Sequence, residues 1–330
     1  MLDNLTPLRQ ANAQLAQSDS VLYQPQTALL LNYPTEFDKR QPVGENPPGA
    51  IIDYYFKTAP KDEVTLDVLD SQGKLVRHLS SKEKHDDDQP PEWPDRVEAA
   101  KTIPVAEGMN RFAWDLRCDD PVQTPGAFYS GEGPRGPKVL PGDYQLKFTA
   151  AGKSQTAPLH VAMDPRIQGA EAAVQKQFEL ALQVRDRISQ LHQAVNEIRD
   201  LKTQLQTLEK KFGEDARAKT VLESANDLKK NMSAIEEQLI QVNMKSSEGN
   251  LVFPNMLNER FDTFSHVIDG ANAAPTQPQY DVFKMLSDQL DAQLQRWTQL
   301  KTDELPKIGA AIKQLDLPSL SVGQATTASK

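Results

Sequence analysis

Residues 141–164 read PGDYQLKFTAAGKSQTAPLHVAMD, and the spacing of apolar residues changes directly after them. Within this stretch Tyr144, Leu146 and Phe148 alternate with polar residues, which predicts a β-strand with one buried face. Gly152 then predicts a turn into a second strand. Beyond the stretch, apolar residues recur at every third or fourth position, as is typical of amphipathic helices. The chain is therefore predicted to be an α+β multidomain protein, with a β region followed by an α region.

Other short β-rich segments precede this hairpin, without helical patterns between them. They are residues 50–57, 63–70, 74–80 and 108–117. Short strands separated by turns predict a small antiparallel β-sandwich. Two insertions with proline-rich or glycine-rich sequences, 82–95 and 119–138, are predicted to be surface loops.

The segment GMNRFAWDLR, residues 108–117, contains a tryptophan within an alternating pattern. With a period of two, Phe112, Trp114 and Leu116 share one face of a strand. This spacing predicts that the tryptophan points into the core, opposite the face that carries Tyr144.

Four helices are predicted in the second half of the chain. Apolar residues are spaced by threes and fours from Val174 to Phe212, and Gly213 follows. Similar patterns predict helices over residues 221–242, over 257–268, and from about 278 with Thr276 as N-cap; Pro306 is expected to kink or restart the last one. Because the connections are short, an antiparallel four-helix bundle with long coiled-coil-like helices is the expected assembly.

The predicted domain organisation has four parts. Residues 1–43 form an N-terminal segment and linker, residues 44–163 the β-sandwich, residues 164–318 the helical bundle, and residues 319–330 a disordered tail.

Composition excludes several classes of protein. Of 330 residues, 38% are hydrophobic and 25% are charged, and no apolar run has the length of a membrane span. The net charge of -9 comes without a basic stripe, so no nucleic-acid partner is expected. The only cysteine, Cys118, is expected to be a packed thiol. The first residues carry no signal-peptide pattern.

Few residues have the spacing of catalytic or metal-binding groups, so no catalytic residues and no cofactor are expected. The five histidines do not fall at ligand spacing with one another. The strongest metal candidates are Asp86, Asp87 and Asp88, whose carboxylates could bind Ca²⁺ from a loop. Since they lack the spacing and glycine turn of a calcium loop, a solvated acidic loop is the favoured interpretation.

The two insertions contain aromatic residues with two alternative roles. Trp93, Phe128 and Tyr129 could stack on a carbohydrate if their rings are exposed, or they could cover the edge of the sandwich. The first helix is much longer than the third. Its excess length could expose apolar residues to a second copy or another partner.

Several segments together resemble one family, the bacterial sortilin-like BNR/Asp-box β-propeller proteins, which are often labelled glycosyl hydrolases. The similarity is to the C-terminal region of that family. It rests on LDNLTPLRQ (2–10), GENPPGAIIDYYFK (44–57), GMNRFAWDLR (108–117), LPGDYQLKFTAAGK (140–153), MDPR (163–166), QFELALQVRDRISQLHQAVNEIRDLKTQL (177–205) and ANAAPTQPQYDVFKMLSDQLDAQL (271–294).

The resemblance implies an immunoglobulin-like sandwich followed by a helical domain, after the last strand of a propeller at residues 2–10. No Asp-box motif occurs in this sequence, and the residues of a propeller are missing. The chain is therefore expected to be a noncatalytic accessory or scaffold module. It would support or oligomerise an upstream propeller, in a periplasmic or secreted location.

Two alternatives remain open from the sequence. One is a carbohydrate-binding or glycoside-hydrolase-associated module. The other is a stand-alone helical adaptor that pairs with another protein.

Overall fold

The computed structural model describes residues 4–12, 17–31, 49–82, 102–131, 133–167, 169–244, 249, 251–315 and 320. They divide into two compact units. The β unit consists of the described residues within Met1–Asp119, Gly136–Phe178 and Ala271–Ala273. The helical unit consists of those within Asp120–Arg135, Glu179–Gly270 and Ala274–Lys330. The chain is therefore an α+β protein, as the change of apolar spacing predicts.

The β unit contains eight described strands, namely β1 (Ser20–Leu22), β2 (Ala28–Leu30), β3 (Ala50–Phe56), β4 (Thr65–Leu69), β5 (Leu75–Ser80), β6 (Gly108–Trp114), β7 (Gly142–Ala150) and β8 (Lys153–Met163). One sheet has the order β1-β3-β6 and the other has the order β2-β8-β7-β4-β5. The pairings are antiparallel except that β2 runs parallel to β8. The predicted hairpin is β7–β8, in which Tyr144 lies opposite Leu159.

Aromatic side chains from the two sheets contact one another in the core of the β unit. The ring of Tyr54 on β3 lies 5.0 Å from that of Phe148 on β7, and Trp114 on β6 lies 6.1 Å from Tyr144. Trp114 is 1% exposed. The prediction that the tryptophan points into the core opposite Tyr144 is thus confirmed.

Strand β6 ends three residues earlier than its sequence pattern predicts. Leu116 is buried as expected, but its φ of 58° is outside the range of a strand. The Trp114 indole Nε1 donates a hydrogen bond to the Arg117 carbonyl at 3.0 Å, which closes the bend. Gly49 packs against this end, where a Cβ atom would lie 1.9 Å from the Trp114 carbonyl oxygen.

Three elements near the N-terminus are absent from the sequence-based prediction. They are α1 (Thr6–Gln10), β1 and β2. The two strands have three residues each, which is too short for an alternating pattern to identify them. Cys118, by contrast, is a buried free thiol as expected.

The main helices are α2 (Glu171–Phe212), α3 (Lys219–Leu239), α4 (Leu257–Asp269), α5 (Gln277–Gln299) and α6 (Leu305–Gln314). Helix α2 ends directly before Gly213, as predicted. Thr276 caps α5 in a capping box with Gln279. A π-helical turn, Leu300–Glu304, joins α5 to α6, and Pro306 lies in the first turn of α6.

The apolar residues of α2 are covered within the helical unit. Ile198, Leu201 and Leu205 are 0% exposed and belong to one core cluster with residues of α3, α4, α5 and α6. The alternative in which the excess length of this helix exposes apolar residues is therefore not found, since its described seam residues form core. The reason is that the described chain continues as helix from α5 through the π-helical turn into α6, which adds Ile308 and Ile312 to the core.

Helix α2 also holds the π-helical turn through one carboxylate. Glu197 accepts hydrogen bonds from Trp297 Nε1 and from Lys301 Nζ, each at 2.8 Å. The Lys301 ammonium lies 5.2 Å from the centroid of the Trp297 ring, a distance at which a cation and an aromatic face attract each other. None of the helices that the structure describes is both long and apolar enough to cross a membrane.

Candidate functional site

A stripe of polar residues runs along one face of α2. Ser189, His192, Asn196 and Arg199 are spaced by three, four and three positions, so their side chains lie above one another on the helix. We call these four residues the α2 stripe. Its partner is the strap, which we define as residues 120–135, the part of the 119–138 insertion that belongs to the helical unit.

The α2 stripe binds the first half of the strap through main-chain groups. The amide of Val122 donates to Ser189 Oγ at 3.2 Å, and its carbonyl oxygen accepts from His192 Nδ1. Further along, Asn196 Nδ2 donates to the Gln123 carbonyl at 2.9 Å, and Arg199 Nη1 donates to the Pro125 carbonyl.

Tyr129 provides the central side-chain contact of the strap. Its hydroxyl lies 2.6 Å from His192 Nε2, and the two rings meet edge to face with centroids 6.2 Å apart. Thr124 adds a second side-chain contact, because its hydroxyl donates to the main-chain carbonyl of His192 at 3.3 Å. His192 is thus bound by the strap at three of its atoms.

Helix α4 holds the second half of the strap. Asn258 Nδ2 donates to the Phe128 carbonyl at 3.1 Å. The Ser130 amide donates to the Glu259 carboxylate, with distances of 3.0 and 3.2 Å to its two oxygens, and the Ser130 hydroxyl donates to the same group. Asn258 and Glu259 are 1% and 3% exposed, so these polar groups are buried at the contact.

The hydrogen bonds of His192 determine its protonation. A carbonyl oxygen only accepts, so Nδ1 carries the hydrogen that is donated to Val122. Burial lowers the pKa of His192, against smaller opposing effects of that hydrogen bond and of Asp262, so the imidazole is neutral. Nε2 therefore accepts from the Tyr129 hydroxyl, and burial also raises the pKa of this tyrosine, so the proton stays on its oxygen.

Arg199 connects the strap to helix α3. Its Nε lies 2.7 Å from Glu236 Oε1, and Lys202 Nζ lies 2.7 Å from Glu236 Oε2. Burial raises the pKa of Glu236, but the hydrogen bonds from Lys202 and Arg199 outweigh burial and hold it below its usual value. The carboxylate is therefore charged at neutral pH and fixes the arginine that binds Pro125.

Two buried oxygens near this site accept no hydrogen bond from the described residues. They are Asn258 Oδ1 and Asp262 Oδ1, on successive turns of α4. Asp262 is 3% exposed and has an ion-pair contact with His266 Nε2 at 3.5 Å. Both oxygens could accept a hydrogen bond from a donor group.

The chemistry of the site favours binding of a polypeptide over proton transfer. His192 Nδ1 is engaged by a main-chain carbonyl and Nε2 by Tyr129, so both ring nitrogens have partners from the strap. The remaining groups are main-chain donors and acceptors that meet complementary side chains. Such an arrangement fixes the course of a loop, which turns where the Ala127 amide donates to the Thr124 carbonyl at 3.1 Å.

The predicted ligand-binding residues have different positions in the structure. Tyr129 packs on α2 in the helical unit, and Phe128 is half-buried beside it. Both residues belong to the helical unit. Trp93 and the metal candidates Asp86, Asp87 and Asp88 lie outside the described residues.

Other candidate sites in the described residues have weaker chemistry. No group of three or more His, Cys, Asp or Glu residues in this part of the chain could hold a metal ion. An open cleft of about 270 Å³ lies among α3, α4 and α5, where Arg260 Nη1 donates to Gln289 Oε1 at 2.7 Å. Its described lining carries amides and one guanidinium but neither a carboxylate nor an imidazole.

The contacts between the strap and the helices are missing from the sequence-based prediction. The spacing of Ser189, His192, Asn196 and Arg199 is a local signal of a polar stripe on one helix face. Its partner lies about 70 positions earlier in the chain, and hydrogen bonds to main-chain atoms leave no residue pattern there.

Comparisons of the chain with protein families, with curated proteins and with solved structures give no match.

Proposed function

We propose that this chain is a noncatalytic scaffold module that supports or oligomerises a sortilin-like propeller protein. The observation that carries the proposal is the use of the strap. The segment between β6 and β7 contributes its main-chain groups, Tyr129 and Ser130 to hydrogen bonds with α2 and α4 of the helical unit. The buried polar side chains that could act in catalysis thus form hydrogen bonds with the strap instead.

The finer description of the fold belongs to the same proposal. Antiparallel pairings within each sheet and ring contacts between the sheets support an immunoglobulin-like sandwich. Helices α2 to α6, with one shared core, support a bundle of four helical segments in which α5 and α6 act as one. The resemblance to the C-terminal region of the propeller proteins implies the same order, a sandwich followed by a helical domain.

Carbohydrate binding is the weaker alternative. The hydroxyl of Tyr129 and one edge of its ring are engaged by His192, which leaves less of this side chain for stacking on a sugar. The alternative therefore depends on half-buried Phe128 and on Trp93. A stand-alone helical adaptor would need an exposed apolar seam, and the seam of α2 is buried.

The experiment that tests the proposal mixes the purified chain with a sortilin-like Asp-box propeller protein from the same genome. Light scattering coupled to size-exclusion chromatography measures the mass of the product. We expect a complex of defined stoichiometry. A chain that elutes alone at every concentration up to about 100 µM, where even weak complexes form, would contradict the proposal.

Catalysis is tested on the same preparation. The chain alone is incubated with glycosides and peptides, and we expect no turnover. Turnover that is lost in Glu259→Gln but retained in the exposed control Glu237→Gln would show an active site in the helical unit.

A further inference from the structure

We propose that the face of α2 and α4 under the strap is a peptide-binding site, and that it can bind residues 121–130 of a second copy of this chain. We call this the α2–α4 face. It is formed by Ser189, His192, Asn196, Arg199, Asn258 and Glu259.

The α2–α4 face binds the main chain of the strap. The contacts of this face to Val122, Gln123, Pro125, Phe128 and Ser130 include hydrogen bonds to their amides or carbonyls. Hydrogen bonds to the main chain give affinity for a peptide, as in other modes of peptide recognition, and here the bound segment turns where the Ala127 amide donates to the Thr124 carbonyl at 3.1 Å. Every residue type has a main-chain carbonyl and all except proline have an amide. The described hydrogen bond of the Gln123 side chain goes to the Pro121 carbonyl of the strap itself, so this side chain contributes little to the contact with the α2–α4 face.

The side chain of Tyr129 provides the specificity of this contact. Tyr129 places an aromatic ring against His192 and donates a hydrogen bond to its Nε2. A buried acceptor that loses its donor is costly, so the site discriminates against a ligand without the hydroxyl. The preferred ligand is therefore a segment that contains a turn, as at Thr124–Ala127, and then a tyrosine followed by a residue with an amide and a hydroxyl, like Ser130.

A second copy of this chain is a source of the ligand. The chain itself supplies the complementary segment, and the described hydrogen bonds of residues 122–130 to α2 and α4 lie within the helical unit. The same residues from a second copy would make the same contacts. Exchange of one element between identical chains is a route to dimers that requires no new interface. The partner is therefore a second copy.

The first experiment frees the strap without unfolding the protein. Protease recognition sequences are inserted directly after Asp120 and directly after Arg135, two exposed residues that are each followed by a buried one, and circular dichroism first checks that the uncut protein keeps its fold. After cleavage, native mass spectrometry at about 10 µM detects whether the excised peptide stays bound, since a micromolar affinity suffices. We expect retention, and quantitative release of the peptide would overturn the proposal.

The second experiment measures exchange. A labelled synthetic peptide with the sequence of residues 119–136 is added to the cleaved protein, and fluorescence anisotropy follows its binding. We expect saturable binding that unlabelled peptide reverses. Absence of binding after the excised segment has been washed out would contradict the proposal.

Peptide variants test the mode of recognition. N-methylation at Ser130 removes the amide donor to Glu259, and we expect at least about tenfold weaker binding because a buried carboxylate loses its partner. The Tyr129→Phe peptide should bind up to about tenfold more weakly. The Gln123→Ala peptide should bind within about twofold of the original, since the described hydrogen bond of this side chain goes to the Pro121 carbonyl of the strap itself and not to the α2–α4 face. Equal losses for all three would contradict main-chain recognition.

Protein variants test the location. Asn196→Ala removes the donor to the Gln123 carbonyl and should weaken binding of the peptide by up to about tenfold. Gln206→Ala changes an exposed residue of the same helix outside the α2 stripe and serves as the matched control. Unchanged peptide binding in Asn196→Ala would place the site elsewhere.

Exchange between copies is tested on the uncut chain. Two preparations with different mass labels are mixed at high concentration and warmed, then analysed by native mass spectrometry. We expect a mixed dimer that a chain with Asn196→Ala and Tyr129→Phe forms less readily. Strictly monomeric protein under conditions in which the excised peptide exchanges would contradict binding of a second copy.

Discussion

At the scale of single residues, Trp114 holds the β unit together. Its ring is 1% exposed, contacts Tyr144 and donates to the carbonyl that closes the end of β6. Such a side chain contributes both buried apolar area and a satisfied polar group, so its loss leaves a large cavity and an orphaned carbonyl.

We therefore expect Trp114→Ala to lower the free energy of unfolding of the β unit by about 3 to 5 kcal/mol. Urea denaturation followed by far-ultraviolet circular dichroism measures the change. Met109 lies on the same strand but is 52% exposed, so Met109→Ala is the control. It should change the free energy of unfolding by less than about 1 kcal/mol. Equal stability of the two variants would show that the ring is not part of the core.

His192 is the residue whose titration the structure connects to the strap. Burial lowers its pKa below the usual value of 6.5, so the unfolded chain binds more protons than the folded one between the lowered pKa and about 6.5. The neutral imidazole therefore contributes fully to the free energy of unfolding above about pH 6.5, and this contribution decreases as the pH falls below that value.

The expected result is that wild-type protein loses stability on acidification from pH 7.5 to 5.5 through this residue. His192→Gln removes the titrating ring, so it is less stable than wild type at pH 7.5, and the difference narrows as the pH falls. Denaturant midpoints at four pH values measure this difference. A difference that is constant with pH would contradict a buried neutral imidazole.

At the scale of secondary-structure elements, Glu236 joins α3 to α2. Its buried carboxylate forms ion pairs with both Arg199 and Lys202, and Arg199 in turn binds the strap. Removal of one member of a buried charged group leaves the others without compensation. The connection between these two helices and the strap therefore depends on this carboxylate.

We expect Glu236→Gln to destabilise the helical unit by about 1 to 3 kcal/mol at neutral pH. Since the folded pKa is lowered, the contribution of the carboxylate is present above pH 4.5 and is lost as the pH falls through the folded value. The difference from wild type should consequently narrow below about pH 4.5. The neighbouring exposed Glu237→Gln is the control, and a loss of the same size there would contradict the assignment.

How much of each element could be predicted depended on the range of the interactions that form it. The bounds of α2 and α5 follow from local signals, the glycine at 213 and the cap at Thr276, and the structure confirms both. Strands β1 and β2 depend on partners far along the chain and carry no pattern of their own. The strap is a loop, as its composition predicts, but its hydrogen bonds to α2 and α4 depend on residues far along the chain and leave no local pattern.

At the scale of the whole molecule, the order of segments along the chain differs from their grouping in space. Residues 120–135 follow a strand of the β unit and precede another, but they belong to the helical unit. A helical fragment that begins at residue 164 would lack Tyr129, Ser130 and the other strap contacts. The helical unit is therefore assembled from separate parts of the chain.

Native-state hydrogen exchange at single residues tests the central claim, that the strap is an integral part of the helical unit. The Val122 amide donates to Ser189 and the Ser130 amide donates to Glu259. We predict that both amides exchange orders of magnitude more slowly than in a free peptide, with protection that Asn196→Ala reduces. Exchange of both amides at the rate of an unstructured chain, while α2 remains protected, would contradict the account.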